Sequence, residues 1–298
     1  MNERVVQFGA GGSLVGILTD PPTPERGGRL AVLLLNAGEL HRIGPHRINV
    51  KLARRLVATG HVAFRFDFSG LGDSGPRRDG LPYPESAIQE ARDAMDHLSS
   101  THGIERFVFV GFCGGADNAF RIACADSRVC GAFLLDWFPY RTLGWYRRQL
   151  GSLLRRTLRD GMRSGTAQRT AAELGDLVRL ATTFARDPGR LDRGVPGRRQ
   201  AAAQLRGLLD RGAWLHFVYT GGQRRYFNGA PQFREMFGGL ALHPRVRVDY
   251  WADADHMLTL LAWQETMIRE VERWLATVSA GQPSSASRQQ HYDCSAVS

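Results

Sequence analysis

Apolar and polar positions along this chain follow two periods, and the order in which the periods appear predicts the fold. Short apolar or alternating runs at 5–8, 14–18, 30–35, 61–68, 106–112, 129–136, 213–220 and 245–251 have the length of strands. Between them apolar residues recur at helical spacing. Val50, Leu52, Leu56 and Val57 do so within 48–60, which stops at Gly60, and further helical segments fall at 86–100, 114–127, 202–211, 231–237 and 257–278. The first two strands lie close enough for a hairpin. From residue 30 strands and helices alternate, which is the order of parallel βαβ units, and the run Leu30-Ala-Val-Leu-Leu-Leu35 is apolar throughout, as a strand covered on both faces must be. The expected class is therefore α/β, with a mostly parallel, doubly wound sheet and chemistry at the carboxyl ends of its strands.

Alternation breaks at 138–200, where aromatic and Arg-rich helical patterns run without a strand. We expect a core built from 1–137 and 201–279, a helical Arg-rich cap or lid at 138–200, and a disordered tail of small polar residues at 280–298.

Charge sharpens this division. The net charge is +10, and sixteen arginines against six acids between Phe138 and Gly212 account for all of it. Lys51 is the sole lysine. Such a segment is either a solvated basic face or an attractor for an acidic partner: a carboxylate or phosphate on a small-molecule substrate, coenzyme A, or an acidic carrier protein. Nucleic acid is not expected, since no helix-turn-helix, zinc or RNA-binding signature accompanies the arginines. No apolar run approaches the roughly 18 residues of a membrane span, and Met1-Asn-Glu-Arg-Val-Val has no apolar signal core behind it, so a cytoplasmic protein is expected. Nothing in the pattern specifies an oligomeric state. Cys113, Cys124, Cys130 and Cys294 have neither zinc-site spacing nor the density of a disulfide scaffold and read as thiols; no metal and no cofactor is required.

The chemistry concentrates at Arg106-Phe-Val-Phe-Val-Gly111-Phe-Cys113-Gly114-Gly115-Ala-Asp117-Asn118, an apolar strand that ends in Gly-x-Cys-x-Gly and turns at once into a helix. That is a nucleophile elbow carrying a thiol. A residue at its centre is lifted clear of the sheet, the helix N-terminus favours the thiolate, and the N–H of Gly114 can donate to a developing oxyanion. A lone Cys at a strand end is more often core, but the strand-to-helix context and a downstream His favour Cys113 as nucleophile.

From about residue 5 to 278 the chain resembles the α/β-hydrolase superfamily, on the strength of the elbow, the turn Asp67-Phe-Ser-Gly-Leu-Gly72-Asp-Ser74 and the end Asp253-Ala-Asp255-His256. A narrower likeness joins Asn36-Ala-Gly-x-x-His41-Arg42 and residues 111–117 to the hydrolases associated with the exosortase A system, and Cys at the elbow is shared with dienelactone hydrolases. The resemblance implies His256 as the base. It also implies an acid after the strand at 213–220, but the loop there, Gly221-Gly-Gln223-Arg-Arg-Tyr-Phe-Asn228, holds no carboxylate. Asp136, at the end of the preceding strand, is the best substitute, with Asp253 and Asp255 as rivals that more often cap a turn. For the oxyanion hole the resemblance pairs the N–H groups of Gly114 and Glu39, the Glu39 side chain facing either Arg42 or a cationic group on the substrate. His41 and His46 are within reach of the mouth, and Trp137, Phe138, Tyr140, Trp145 and Tyr146 suit a pocket wall. Asp67, Gly70, Gly72, Ser74, Asp117 and Asn118 read as structural.

The expected function is an acyl hydrolase of thioesterase or esterase type, working through Cys113, His256 and Asp136 and an acyl-enzyme. The alternatives are an acyltransferase or cyclase acting on a coenzyme A- or carrier-bound acyl group, and a catalytically inactive binding protein on the same scaffold.

Overall fold

In the computed structural model, which describes residues 2–21, 30–160, 175 and 195–281, eight strands form one sheet. β1 (Asn2–Phe8) and β2 (Leu14–Asp20) make an antiparallel hairpin, and β2 pairs antiparallel with β4 (Val62–Phe66). The remaining strands, β3 (Leu30–Leu34), β5 (Arg106–Phe112), β6 (Val129–Leu135), β7 (Trp214–Thr220) and β8 (Val246–Trp251), run parallel, giving the order β1-β2-β4-β3-β5-β6-β7-β8.

Every residue of β3, β4 and β7 is buried, the unbroken pattern of strands roofed on both faces. One roof is α1 (Ile48–Ala58) and α7 (Leu261–Ala280), packed on Val32, Leu34, Val108 and Val110. The other is α2 (Tyr83–His102), α3 (Gly114–Ala125), α5 (Arg198–Asp210) and α6 (Gln232–Phe237), packed on Leu33, Phe64, Phe109 and Phe217. Alternate side chains of each strand thus feed two separate apolar layers.

Three helix starts depart from the apolar pattern; α5 begins at Arg198 rather than 202, and the other two have local reasons. α2 starts at Tyr83 rather than 86, because Pro84 sits in the first turn, where its missing N–H costs nothing. α7 starts at Leu261 rather than 257. Leu258 has φ 52° and the Asp255 carboxylate ties back the N–H groups of Met257 and Thr259, so 257–260 forms a turn instead of a helical one.

Within the expected cap, α4 (Leu143–Asp160) is a helix docked on α6. Arg148 makes this joint: its Nε donates to Asn228 Oδ1 at 2.8 Å and its Nη1 to Glu235 Oε1 at 2.7 Å. Segment 161–194, apart from residue 175, and the tail 282–298 lie outside the described residues, and with them most of the expected lid and the disordered end. Among the described residues no helix is long and apolar enough to cross a membrane.

Candidate active site

β5 leaves the sheet through Cys113, whose φ of 51° and ψ of −119° are conformations a side chain seldom adopts. Surrounding bonds hold it there. Cys113 N–H donates to Leu135 O at 2.8 Å, and Cys113 O accepts from Ala116 N at 2.9 Å as α3 begins. The glycines make the turn sterically possible: a Cβ on Gly111 would lie 2.2 Å from Gly115 O, and one on Gly115 would lie 2.3 Å from Asn36 O. Strand, helix and the loop after β3 therefore meet at van der Waals limits, and a Cβ on Gly114 would stand 3.3 Å from Gly38 Cα.

His256 lies in the loop after β8, and its Nδ1 is 2.7 Å from Asp136 Oδ2. The Cys113 thiol lies near enough to act on the same ring, and with Nδ1 taken by Asp136 the atom left to face it is Nε2. Asp136 follows β6 with φ 52° and is itself clamped. Its N–H donates to Val218 O at 2.7 Å, its Oδ1 accepts from Thr220 N at 2.7 Å, and its Oδ2 accepts from Thr220 Oγ1 at 2.7 Å. The Asp136 bond first and the nearby Cys113 second push the His256 imidazole up to about 10, against an opposing effect of burial. The other two described thiols differ: burial pushes Cys124 up to about 11 and raises Cys130 as well. The structure thus brings Cys113, His256 and Asp136 together, Asp136 bonding the ring and the elbow thiol lying close to it.

The rival acids are placed elsewhere. Asp255 accepts from Met257 N at 2.9 Å, Thr259 N at 2.9 Å and Thr259 Oγ1 at 3.0 Å, which is a turn cap, and Asp253 is exposed.

A cleft of about 570 Å³ opens beside Gly114, bounded by Gly38, Glu39, Leu71, Tyr83, Asp117 and Arg121 among others. Both residues expected to supply oxyanion donors therefore border one cleft. Glu39 is exposed and is not turned inward toward Arg42, so the condition for either expected partner is not met. Arg42 turns inward to Asp67 instead. Its Nη1 binds Asp67 Oδ2, its backbone N–H donates to Asp67 Oδ1 at 2.6 Å, and its Nη2 donates to Asp73 Oδ2 at 2.6 Å. Asn36 completes this brace, its Nδ2 donating to Asp67 Oδ1 at 2.8 Å and its Oδ1 accepting from Phe68 N at 3.0 Å. The brace locks the loop that carries Gly38 and Glu39 to the turn after β4.

Four residues expected to touch substrate need correction. His41 joins the brace, its Nε2 accepting from Arg42 Nη1 at 2.9 Å. That contact also rules out a cation among His41, Asp67 and Asp73, because the Arg42 guanidinium already bonds all three. Trp137, Tyr140 and Trp145 are only 2%, 4% and 2% exposed. Trp137 packs on Phe120 and Phe217, Tyr140 on Phe237 with its hydroxyl donating to Pro196 O, and Trp145 lies under the Arg141 guanidinium. Large rings at the carboxyl edge of a sheet bury more area as packing than as a pocket wall, which is why they close the core here.

Two functional features escaped the sequence reading. Thr220 carries no signal by itself, being one hydroxyl at a strand end. Arg42 could have been found as the partner of an Asp in the turn after β4, since a buried carboxylate requires one.

No protein-family model matches the chain, and no curated protein matches it by sequence. Solved structures do match in shape. An esterase of Pyrococcus furiosus superposes with TM-score 0.59 at 15% identity, over 93% of this chain and 91% of that one. A proline iminopeptidase of Mycobacterium smegmatis does so with TM-score 0.53 at 17% identity, over 94% and 99%. A 2,6-dihydroxy-pseudo-oxynicotine hydrolase covers 98% of this chain and 72% of its own, with TM-score 0.53 and 13% identity. At such identities the likeness carries the fold: the chain has the α/β-hydrolase fold, with its eight-stranded, mostly parallel sheet between two helical layers.

Proposed function

We propose that the protein is an acyl hydrolase acting on esters or thioesters through Cys113, His256 and Asp136. The observation that carries this reading is the bond from Asp136 Oδ2 to His256 Nδ1 beside a thiol held at a strained elbow.

The Cys113 thiolate attacks the substrate carbonyl carbon, forming the C–S bond while the carbonyl electron pair moves to oxygen. The N–H groups of Gly114 and Glu39 stabilise that oxyanion from the cleft rim. The pair then reforms the carbonyl and expels the alkoxide or thiolate, which takes the Nε2 proton of His256. Water attacks the resulting acyl-enzyme, His256 accepts its proton, and Cys113 leaves as thiolate. Asp136 holds the ring in the required tautomer and stabilises its charged form. Thioesters suit a thiol nucleophile because exchange of one thioester for another is close to thermoneutral. The exposed Arg147 and Arg155 on α4 favour an anionic leaving group such as coenzyme A or a carrier protein. The likeness of residues 36–42 and 111–117 to hydrolases of the exosortase A system agrees with this class.

The test is to incubate the protein with a p-nitrophenyl ester and an acyl-coenzyme A, quench in acid, and locate the acyl group by peptide mass spectrometry. An adduct on Cys113 that Cys113→Ala abolishes, together with turnover, is expected. Turnover that persists in Cys113→Ala would overturn the assignment, and absence of both adduct and turnover would leave a binding protein on this scaffold.

A further inference from the structure

We infer that Thr220, at the carboxyl end of β7, is a positioning residue that locks the plane of the Asp136 carboxylate and thereby holds His256 in register with Cys113. The inference rests on the reading of Asp136 and His256 given above and adds a residue to it.

The β7 terminus carries no acid here, although the loop after it is long enough to have held one. What it carries instead is a paired donor. Thr220 N–H meets Asp136 Oδ1 and Thr220 Oγ1 meets Asp136 Oδ2, each at 2.7 Å, while His256 Nδ1 meets Oδ2 at 2.7 Å. Two donors from one residue, one on each oxygen, fix the torsion of a carboxylate that would otherwise rotate freely over a broad minimum. The parallel register makes this possible, because Leu135 pairs with Val218 and Asp136 N–H donates to Val218 O, so both chains leave the sheet together.

Burial makes the hydroxyl's role specific. Thr220 is fully buried and the Asp136 side chain almost so, which leaves the hydroxyl no water to bond and the carboxylate no alternative donor from solvent. Asp136 also sits at φ 52°, a conformation that persists only when its surroundings determine it. The same two β7 residues, Val218 and Thr220, supply its backbone and side-chain bonds. β7 therefore positions the acid that β6 carries.

Thr220→Val removes the hydroxyl at nearly constant shape and keeps the backbone N–H, and Thr220→Ser restores the hydroxyl without the methyl. In Thr220→Val the carboxylate turns about its remaining N–H bond, and His256 loses its partner for part of the time. Turnover of a p-nitrophenyl ester should fall roughly ten- to hundredfold in kcat with little change in KM, the size expected for one hydrogen bond to a charged group. Titration of the His256 ring, followed by NMR on protein labelled at histidine nitrogen, should show its midpoint moving down toward neutrality. Thr220→Ser should restore both. An unmoved midpoint, or a Thr220→Ser variant as impaired as Thr220→Val, would show that the residue only fills space. An upward shift would show that the hydroxyl merely dilutes the carboxylate's charge, and either result overturns the inference. The NMR titration needs no substrate, so it stands even if Cys113 proves not to be the nucleophile.

Discussion

Replacing Asp136 by Asn changes one atom and removes the charge that faces His256. In the native protein His256 is pushed up to about 10 from an ordinary value of 6.5, with the Asp136 bond as the largest cause and the nearby Cys113 next. At about pH 8 a ring titrating near 10 is protonated by about a hundred to one, whereas one near 6.5 is neutral by about thirty to one. The variant therefore loses the imidazolium that, in the proposed mechanism, protonates the leaving group. The amide adds a second fault. Asp136 accepts from three donors, Thr220 N, Thr220 Oγ1 and His256 Nδ1, and an Asn must turn its NH₂ toward one of them. If the NH₂ faces His256, the proton moves to Nε2 and the ring can no longer accept one from Cys113.

We expect kcat on a p-nitrophenyl ester to fall roughly 10²- to 10³-fold, less than the ~10⁴ of a serine triad because a thiol ionises more readily. Stability carries the same signature. A group raised in the folded state stabilises fully below its unfolded value, about 6.5, and loses that contribution as pH rises through about 10. Three and a half pH units would be worth at most about 5 kcal/mol, and with Cys113 sharing the effect and the His256 side chain 26% exposed, about 2 kcal/mol belongs to Asp136. Urea unfolding should therefore show the wild type ahead of Asp136→Asn by about this much near pH 6, with the gap closing toward pH 10. A fall in kcat smaller than tenfold, an equal fall in Asp255→Asn, or a gap that does not vary with pH would refute the assignment of the acid.

Iodoacetamide near pH 7 should label Cys113 before Cys124 or Cys130, whose thiols burial holds in the protonated form; preferential labelling of Cys124 in peptide maps would count against the elbow thiol. Asp67→Ala leaves the buried Arg42 without its main partner and should cost about 3–5 kcal/mol in urea unfolding, far more than Asp73→Ala, whose carboxylate is exposed. Gly115→Ala drives a methyl into Asn36 O, so unfolding free energy and turnover should fall together, the former by about 1–3 kcal/mol. Arg148→Gln should loosen the α4–α6 joint and lower the melting temperature, whereas replacing the exposed Arg147 and Arg155 should raise KM for an acyl-coenzyme A in a salt-dependent way and leave neutral esters unchanged.

The legible part of this protein is what short-range chemistry controls. The period of apolar residues is a local property, and it placed all eight strands and the flanking helices to within about four residues; at Pro84 and Leu258 a first-turn proline and a left-handed residue override the pattern, and β1 and α5 also begin earlier than expected, at Asn2 and Arg198. Gly-x-Cys-x-Gly is local too, since the strain at Cys113 and the crowding of Gly111 against Gly115 arise within five residues. Nothing local distinguishes the acid. Asp136 and Asp255 stand 120 residues and one residue from His256, and proximity along the chain favours the wrong one.

By itself, then, the sequence determined the layers, the sheet class and the position of the thiol, because burial period, turn sterics and helix starts act over a few residues. Asp136 was favoured by its place at a strand end, but tertiary structure alone decided that Thr220 would bond its carboxylate, that Arg42 would turn inward to Asp67, and that Trp137, Tyr140 and Trp145 would close the core. Each of these depends on which strands are neighbours and in what register. A hydrogen bond needs its atoms placed to within a few tenths of an ångström, and pairings such as Leu135 with Val218, which supply that placement, join residues that no local pattern connects.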